Sequence, residues 1–75
     1  MITIIGGRLE ESRNYAAENN LGMGLAHIAY DMRGIRTLRR NSEVRLVGLF
    51  HFRPDAKEIL HELKLRGIIV KDCCV

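Results

Sequence analysis

The residues best placed for chemistry follow the first short strand of the chain. Residues 2–5 are β-branched and run directly into Gly6, Gly7 and Arg8, and a helix-like segment begins at once. In α/β proteins this order of strand, glycine turn and helix binds anions at the helix N-terminus, because glycines let backbone N–H groups approach a ligand closely. The turn therefore suggests a site for a phosphate or a carboxylate.

This glycine turn lacks the residues that specify a nucleotide-binding loop. No Lys-Ser/Thr pair follows it, as a Walker A loop requires. Glu10 and Glu11 occupy the positions where a Rossmann fingerprint would continue into its helix, and their carboxylates would repel an anion there. A tight turn that binds no ligand is the simpler explanation of the two glycines.

A second group of polar residues, His51 and Arg53, follows the strand predicted over residues 44–50. In a parallel sheet with strand order 2-1-3-4, the carboxyl ends of strands one and three meet at a switch point, where α/β proteins bind ligands. Arg33 and Arg36 are expected to reach the same place from the connection after strand two. The predicted ligand-binding residues are Gly6, Gly7, Arg8, Arg33, Arg36, His51 and Arg53. The alternative is that His51 and Arg53 are ordinary exposed loop residues.

The sequence suggests no catalytic residue, cofactor or metal. No serine or cysteine lies near a base and an orienting acid. The histidines, His27, His51 and His61, belong to separate elements and lack zinc-site spacing, and Cys73 and Cys74 are adjacent and terminal. We therefore expect that the protein is not an enzyme and holds no metal.

The elements that position these residues alternate as β-α-β, a basic connection, and β-α-β. The predicted strands cover residues 2–5, 25–30, 44–50 and 68–70, and the predicted helices cover residues 9–20 and 54–66. For residues 25–30, the start of a helix over 24–33 is the alternative. This alternation predicts one three-layer α/β domain over residues 1–75, with a mostly parallel sheet of three or four strands. Phe50 and Phe52 are expected to share one face of the third strand.

Positive charge is concentrated in the middle of the chain. Residues 33–53 contain six arginines and one acidic residue, Glu43, although the net charge of the whole chain is only +3. The planar arginine fork matches phosphate and carboxylate groups. Nucleic acid or a nucleotide phosphate is the expected partner, with Tyr30 near Arg33, and Phe52 near Arg53, available to stack on bases. An acidic protein surface fits the same charge.

The small size of the chain favours self-association. A domain of 75 residues buries only about 60% of its unfolded surface and gains little stability alone. We expect a homo-oligomer that uses residues 68–70, with a modestly stable monomer as the alternative. Unpaired cysteines, no signal-peptide pattern and no apolar stretch of membrane-spanning length favour a cytoplasmic location and no membrane partner.

Three segments resemble a known group of proteins. They are I-I-G-G-R-L-E-E-S-R-N-Y-A from residue 4, D-M-R-G-I-R from residue 31, and V-G-L-F-H-F-R-P-D-A-K-E-I-L from residue 47. They are similar to small α/β proteins of tailed phages, particularly actinobacteriophages, most of which have no assigned function. The resemblance implies a phage accessory protein acting in the host cytoplasm on a host or phage component. It transfers no catalytic residue.

The expected function is therefore non-catalytic binding of a polyanion through an arginine-rich surface at the strand ends. The alternative is a protein-interaction module that self-associates or docks on an acidic host protein. An enzyme is the least favoured reading, because no acid–base pair or nucleophile is evident.

Overall fold

The alternating pattern folds into a parallel sheet with helices on both faces. A computed structural model describes residues 2–21, 26–40 and 42–74. Its elements are β1 (Ile2–Gly6), α1 (Leu9–Glu18), β2 (Ala26–Ile28), α2 (Met32–Arg36), β3 (Glu43–Val47), a 3-10 turn (Phe50–Phe52), α3 (Ala56–Leu65) and β4 (Ile69–Asp72). All strand pairs are parallel, in the order β2-β1-β3-β4. The predicted α/β fold and strand order are confirmed.

Two apolar clusters hold the three layers together. Adjacent residues of β1 point to opposite faces of the sheet, as the period of a strand requires. Ile4 packs with Ala16 of α1 on one face. Ile5 packs on the other face with Ile59 and Leu63 of α3, which are fully buried. The helices that follow β1 and β3 therefore cover opposite faces of the sheet, which makes the carboxyl ends of these two strands the switch point.

The third strand ends earlier than predicted. β3 stops at Val47, because Gly48 has φ +59°, a left-handed conformation that turns the chain out of the sheet. Phe50 then lies in the 3-10 turn and is fully buried, whereas Phe52 is 83% exposed. The prediction that these two phenylalanines share a strand face is wrong.

Other boundaries differ by a few residues. β4 continues to Asp72, and Ile68 is buried in the core just before it. α3 begins at Ala56, later than residue 54. Ile35, predicted in an irregular connection, is a buried residue of α2, which begins where the Asp31 carboxylate accepts the N–H groups of its first turn.

The ambiguous segment at residues 25–30 contains a strand, β2, so the helix alternative is wrong. Leu25 itself lies outside the described residues. The first helix ends at Glu18, two residues before the predicted end, and Asn20 just beyond it has φ 55°, a left-handed conformation. Within residues 2–21, 26–40 and 42–74, no helix combines the length and apolar character needed to cross a membrane.

Candidate functional site

The loops after β1 and β3 lie side by side at the switch point, as the strand order requires. Together they line a shallow cavity of 260 Å³ whose walls are Gly7, Arg8, Leu49, Phe52, Arg53 and Pro54. An adjoining cavity of 420 Å³ extends to Tyr30 and Asp31 after β2. The structure thus brings Gly7, Arg8 and Arg53 together from three separate positions in the chain.

The anion position of this turn is occupied by a side chain of the protein itself. Glu11, in the first turn of α1, accepts the Arg8 N–H at 2.9 Å through Oε1. It also accepts the Leu49 N–H, with its two oxygens at 3.3 and 3.1 Å. Two backbone donors that a bound phosphate would use are therefore already satisfied by an internal carboxylate.

The glycines of both loops make room for Glu11. A Cβ on Gly7 would lie 2.8 Å from Glu11 Oε1, and a Cβ on Gly48 would overlap the same carboxylate. The Gly6 carbonyl accepts a hydrogen bond from Arg53 at 3.1 Å. These close approaches explain the glycines without an external ligand.

Arg53 connects the ends of the strands and is not a loop residue exposed to solvent. Its side chain is 9% exposed. The guanidinium donates to both carboxylate oxygens of Asp55, at 2.9 and 3.0 Å, and lies over the Tyr30 ring at 4.7 Å. Its charge is balanced by Asp55, so it contributes little free positive charge to the surface.

Apolar side chains dominate what remains exposed around these loops. Leu9, Tyr30, Leu49 and Phe52 follow three different strands, so they emerge at the same edge of the sheet. Arg8 lies beside them and is exposed. We call this surface, made of Leu9, Tyr30, Leu49, Phe52 and Arg8, the strand-end face.

Four further exposed arginines lie on α2 and on the connection that follows it. Arg33 and Arg36 lie on α2, and Arg39 and Arg40 lie on the connection after it; all four are exposed. Among the described residues, none of them takes part in an ion pair. We call this stretch, residues 33–40, the arginine segment.

The arginine segment runs from α2 towards the amino edge of the sheet, as the contacts of Arg36 and Arg39 show. The Arg36 carbonyl accepts a hydrogen bond from Arg66 Nη1 at 3.0 Å, just after α3. Arg39 lines a cavity of 470 Å³ at the opposite, amino edge of the sheet, with the hydroxyl residues Thr3, Thr37 and Ser42. Of the residues expected at the switch point, neither Arg33 nor Arg36 lines its two cavities.

His51 is turned towards β4 rather than towards the glycine turn. Its Nε2 lies 2.9 Å from Asp72 Oδ2, and Asp72 Oδ1 accepts the Cys74 N–H at 3.0 Å. The hydrogen bonds from Cys74 and His51 lower the pKa of Asp72. Burial, together with the neighbouring Asp72 carboxylate, raises the pKa of the Cys74 thiol to about 11.

This grouping of His51, Asp72 and Cys74 was not predicted. Asp72 and Cys74 are two residues apart, and such a spacing puts side chains on one side of an extended chain. His51 follows the neighbouring strand β3. The sequence does contain a signal for this group: an Asp-x-Cys sequence, and a histidine after the neighbouring strand. The signal could be recognised only if β4 was predicted to extend to Asp72, as it does.

Comparison with known proteins gives no relative for this arrangement. No family model, curated protein or solved structure matches the chain.

Proposed function

We propose that this protein is a non-catalytic binding protein that contacts nucleic acid through its arginine segment. The supporting observation is the contrast in charge between the arginines of the middle region. Arg45 and Arg53 are paired with Glu43 and Asp55, whereas the four arginines of residues 33–40 are exposed with no acidic residue among them. Exposed arginines attract phosphates because their contacts release condensed counterions.

We place the polyanion site on the arginine segment and not at the switch point, where the sequence predicted it. At the switch point, Glu11 occupies the backbone donors and Asp55 neutralises Arg53. Along the arginine segment, Arg39 and three hydroxyl-bearing residues line one cavity, and hydroxyl and guanidinium groups are common phosphate donors. We also propose, from the resemblance of the sequence, that the protein is a phage accessory protein of the host cytoplasm.

A salt titration tests this function. We expect fluorescently labelled duplex DNA or RNA to bind at low salt, with a log–log salt slope of about −3 to −4 for four phosphate contacts. Arg33→Gln with Arg36→Gln should reduce the slope by about two and weaken all sequences alike. The matched control is Lys57→Gln with Lys64→Gln, which removes the same charge from exposed positions of α3.

Equal weakening by the two pairs of substitutions would show that only the net charge matters. No binding to DNA or RNA at about 50 μM protein, a concentration that detects even weak non-specific association, would remove the nucleic-acid proposal and favour a protein partner.

A protein-interaction module is the second candidate, and the strand-end face is the observation that favours it. Phe52 is 83% exposed, and Leu49 and Tyr30 are about half exposed. Exposed aromatic and aliphatic side chains beside an arginine are typical of the centres of protein interfaces. The partner would be an acidic host or phage protein, or a second copy of the chain.

Two surfaces could mediate self-association, the edge strand β4 and the strand-end face, and substitutions can distinguish between them. β4 is an edge strand, and its Ile69 and Val70 are exposed, whereas Ile68 is buried and cannot contact a partner. Sedimentation equilibrium at high micromolar concentration should give a mass above that of one chain. Loss of the dimer in Ile69→Lys would assign it to the edge strand, and loss in Phe52→Ser would assign it to the strand-end face. A monomer at all concentrations would remove the homo-oligomer.

A further inference from the structure

Three side chains of different metal-binding chemistry meet beyond the carboxyl end of β4. A ring nitrogen of His51, a carboxylate oxygen of Asp72 and the sulfur of Cys74 all lie within 4.8 Å of one another. We propose that they form a binding site for a divalent transition-metal ion of the zinc class. None of the three residues belongs to the arginine segment or to the strand-end face.

The set of donor atoms selects the class of metal. Imidazole, carboxylate and thiolate are the three side-chain ligands that Zn²⁺ uses in proteins. A sulfur ligand disfavours Mg²⁺ and Ca²⁺, which take oxygen ligands. Three protein ligands leave the fourth tetrahedral position for water or an external ligand, as in zinc sites that are not purely structural.

Contacts around the site hold Asp72, the His51 ring and the end of the chain in place. The Cys74 N–H fixes Asp72 Oδ1 at 3.0 Å, which leaves Oδ2 facing His51. The His51 ring stands edge-on to the fully buried Phe50 ring, with centroids 5.4 Å apart. The Cys73 N–H donates to the Leu46 carbonyl at 2.8 Å, which holds this end of the chain against β3. Such supporting contacts are what orient ligands in metal sites.

Only a small adjustment separates this arrangement from a tetrahedral site. Bonds of about 2.0–2.3 Å to zinc place ligand atoms roughly 3.3–3.8 Å apart. The longer separations, up to 4.8 Å, must therefore shorten by at most about 1.5 Å, and the His51–Asp72 separation of 2.9 Å must open slightly. The side chains of His51 and Asp72 are 44% and 57% exposed, so they rotate without repacking the core.

The neighbouring cysteine provides an internal control. Cys73 is exposed, and its sulfur lies 3.9 Å from the Tyr15 hydroxyl, towards α1. It differs from Cys74 by one residue in the chain but belongs to the other side of β4. If any thiol near the end of the chain could bind the metal, substitution of Cys73 and substitution of Cys74 would have the same effect.

Titration of the full chain with Co²⁺ under reducing, anaerobic conditions tests the site. We expect one Co²⁺ per chain, with the intense visible bands of tetrahedral cobalt, a near-ultraviolet sulfur-to-metal charge-transfer band, and displacement by Zn²⁺. Cys74→Ser should abolish the charge-transfer band, and His51→Asn should weaken binding at least about tenfold. Cys73→Ser and His61→Asn should bind like the unaltered protein, and far-ultraviolet circular dichroism checks that each variant folds.

Several results would overturn the proposal. The first is no binding at roughly 0.1 mM Co²⁺, which corresponds to an affinity weaker than about −5.5 kcal/mol. The second is a charge-transfer band that survives Cys74→Ser. The third is one ion per two chains with binding lost in Cys73→Ser, which would assign the metal to a contact between two copies.

Discussion

Arginines occur both at the strand-end face and in the arginine segment, but their surroundings differ. Arg53, beneath the strand-end face, has a side chain only 9% exposed, is paired with Asp55 and donates to the Gly6 carbonyl. The arginines of residues 33–40 are exposed and, within the described part of the chain, outside any ion pair. The first use holds loops together, and the second leaves charge available to a partner.

This contrast shows why charge in a sequence does not locate a site by itself. The charge of an arginine acts at a distance only where no carboxylate neutralises it and solvent reaches it. Residues 33–53 divide in this respect: the four arginines before β3 are available, and the two in and after β3 are not.

The largest expected effect compares two phenylalanines of the 3-10 turn. Phe50→Ala should lower the free energy of unfolding by about 3–5 kcal/mol, because it leaves a cavity under the strand-end face. Phe52→Ala should change it by less than about 0.5 kcal/mol. Urea denaturation measures both. A large loss from Phe52→Ala would mean that the strand-end face is part of the core of an oligomer.

The second prediction tests the packing of the Glu11 carboxylate against Gly48. Gly48→Ala should cost about 2–4 kcal/mol, since alanine is strained at φ +59° and its Cβ overlaps the Glu11 carboxylate. In a Glu11→Ala background the same substitution should cost only about 1–2 kcal/mol, the backbone strain alone. A double-mutant cycle by urea denaturation measures the difference. Additive effects would contradict the packing of Glu11 against Gly48.

The third prediction compares the two kinds of arginine directly. Arg53→Gln should lower the free energy of unfolding by about 1–3 kcal/mol, because Asp55 and the Gly6 carbonyl lose their partner. Arg36→Gln should change stability by less than about 0.5 kcal/mol. Thermal denaturation of both variants checks this. Similar losses would erase the distinction between the two regions.

The smallest effect concerns the pH dependence of Cys74. Its pKa of about 11 keeps the thiol protonated, so in Cys73→Ser the rate of alkylation should be slow at pH 8 and rise about tenfold per pH unit towards pH 11. Mass spectrometry after timed iodoacetamide treatment measures the rate. A rate that levels off below pH 9 would contradict the raised pKa.

The same group makes stability depend on pH. The raised pKa means that the folded state retains the thiol proton after the unfolded chain has lost it. Stability from this group is therefore complete below the unfolded pKa of about 8.5 and decreases as the pH rises through the folded value of about 11.

The α/β fold was predictable because it rests on periodicity and on the alternation of strands and helices. The buried faces are determined by apolar strand residues and by the helical stripe of Ile59 and Leu63. The strand residues are Ile4, Ile5, Val44, Leu46 and Val47. Boundaries were less predictable, because they depend on tertiary contacts. β3 ends at Val47, because the next residue, Gly48, turns the chain and leaves space for the Glu11 carboxylate. No local pattern around residue 48 reveals a contact with residue 11.

The candidate site was only partly predictable for the same reason. Gly7, Arg8 and Arg53 were expected at the switch point and lie there. The sequence did not show that Arg53 would be neutralised by Asp55, that Arg36 would lie near Arg66, or that His51 would face Asp72. Each of these depends on which way a side chain turns once the backbone is in place.

The anion position of the glycine turn is filled by the Glu11 carboxylate, which is covalently attached to the same chain and cannot diffuse away. A free anion that sought the Arg8 and Leu49 N–H groups would compete with a carboxylate on the same helix turn, whose effective concentration is in the millimolar range or above. A free anion would therefore have to displace this carboxylate before it could bind the same N–H groups. The link between the loops after β1 and β3 is therefore supplied by the fold itself and does not depend on a bound ligand.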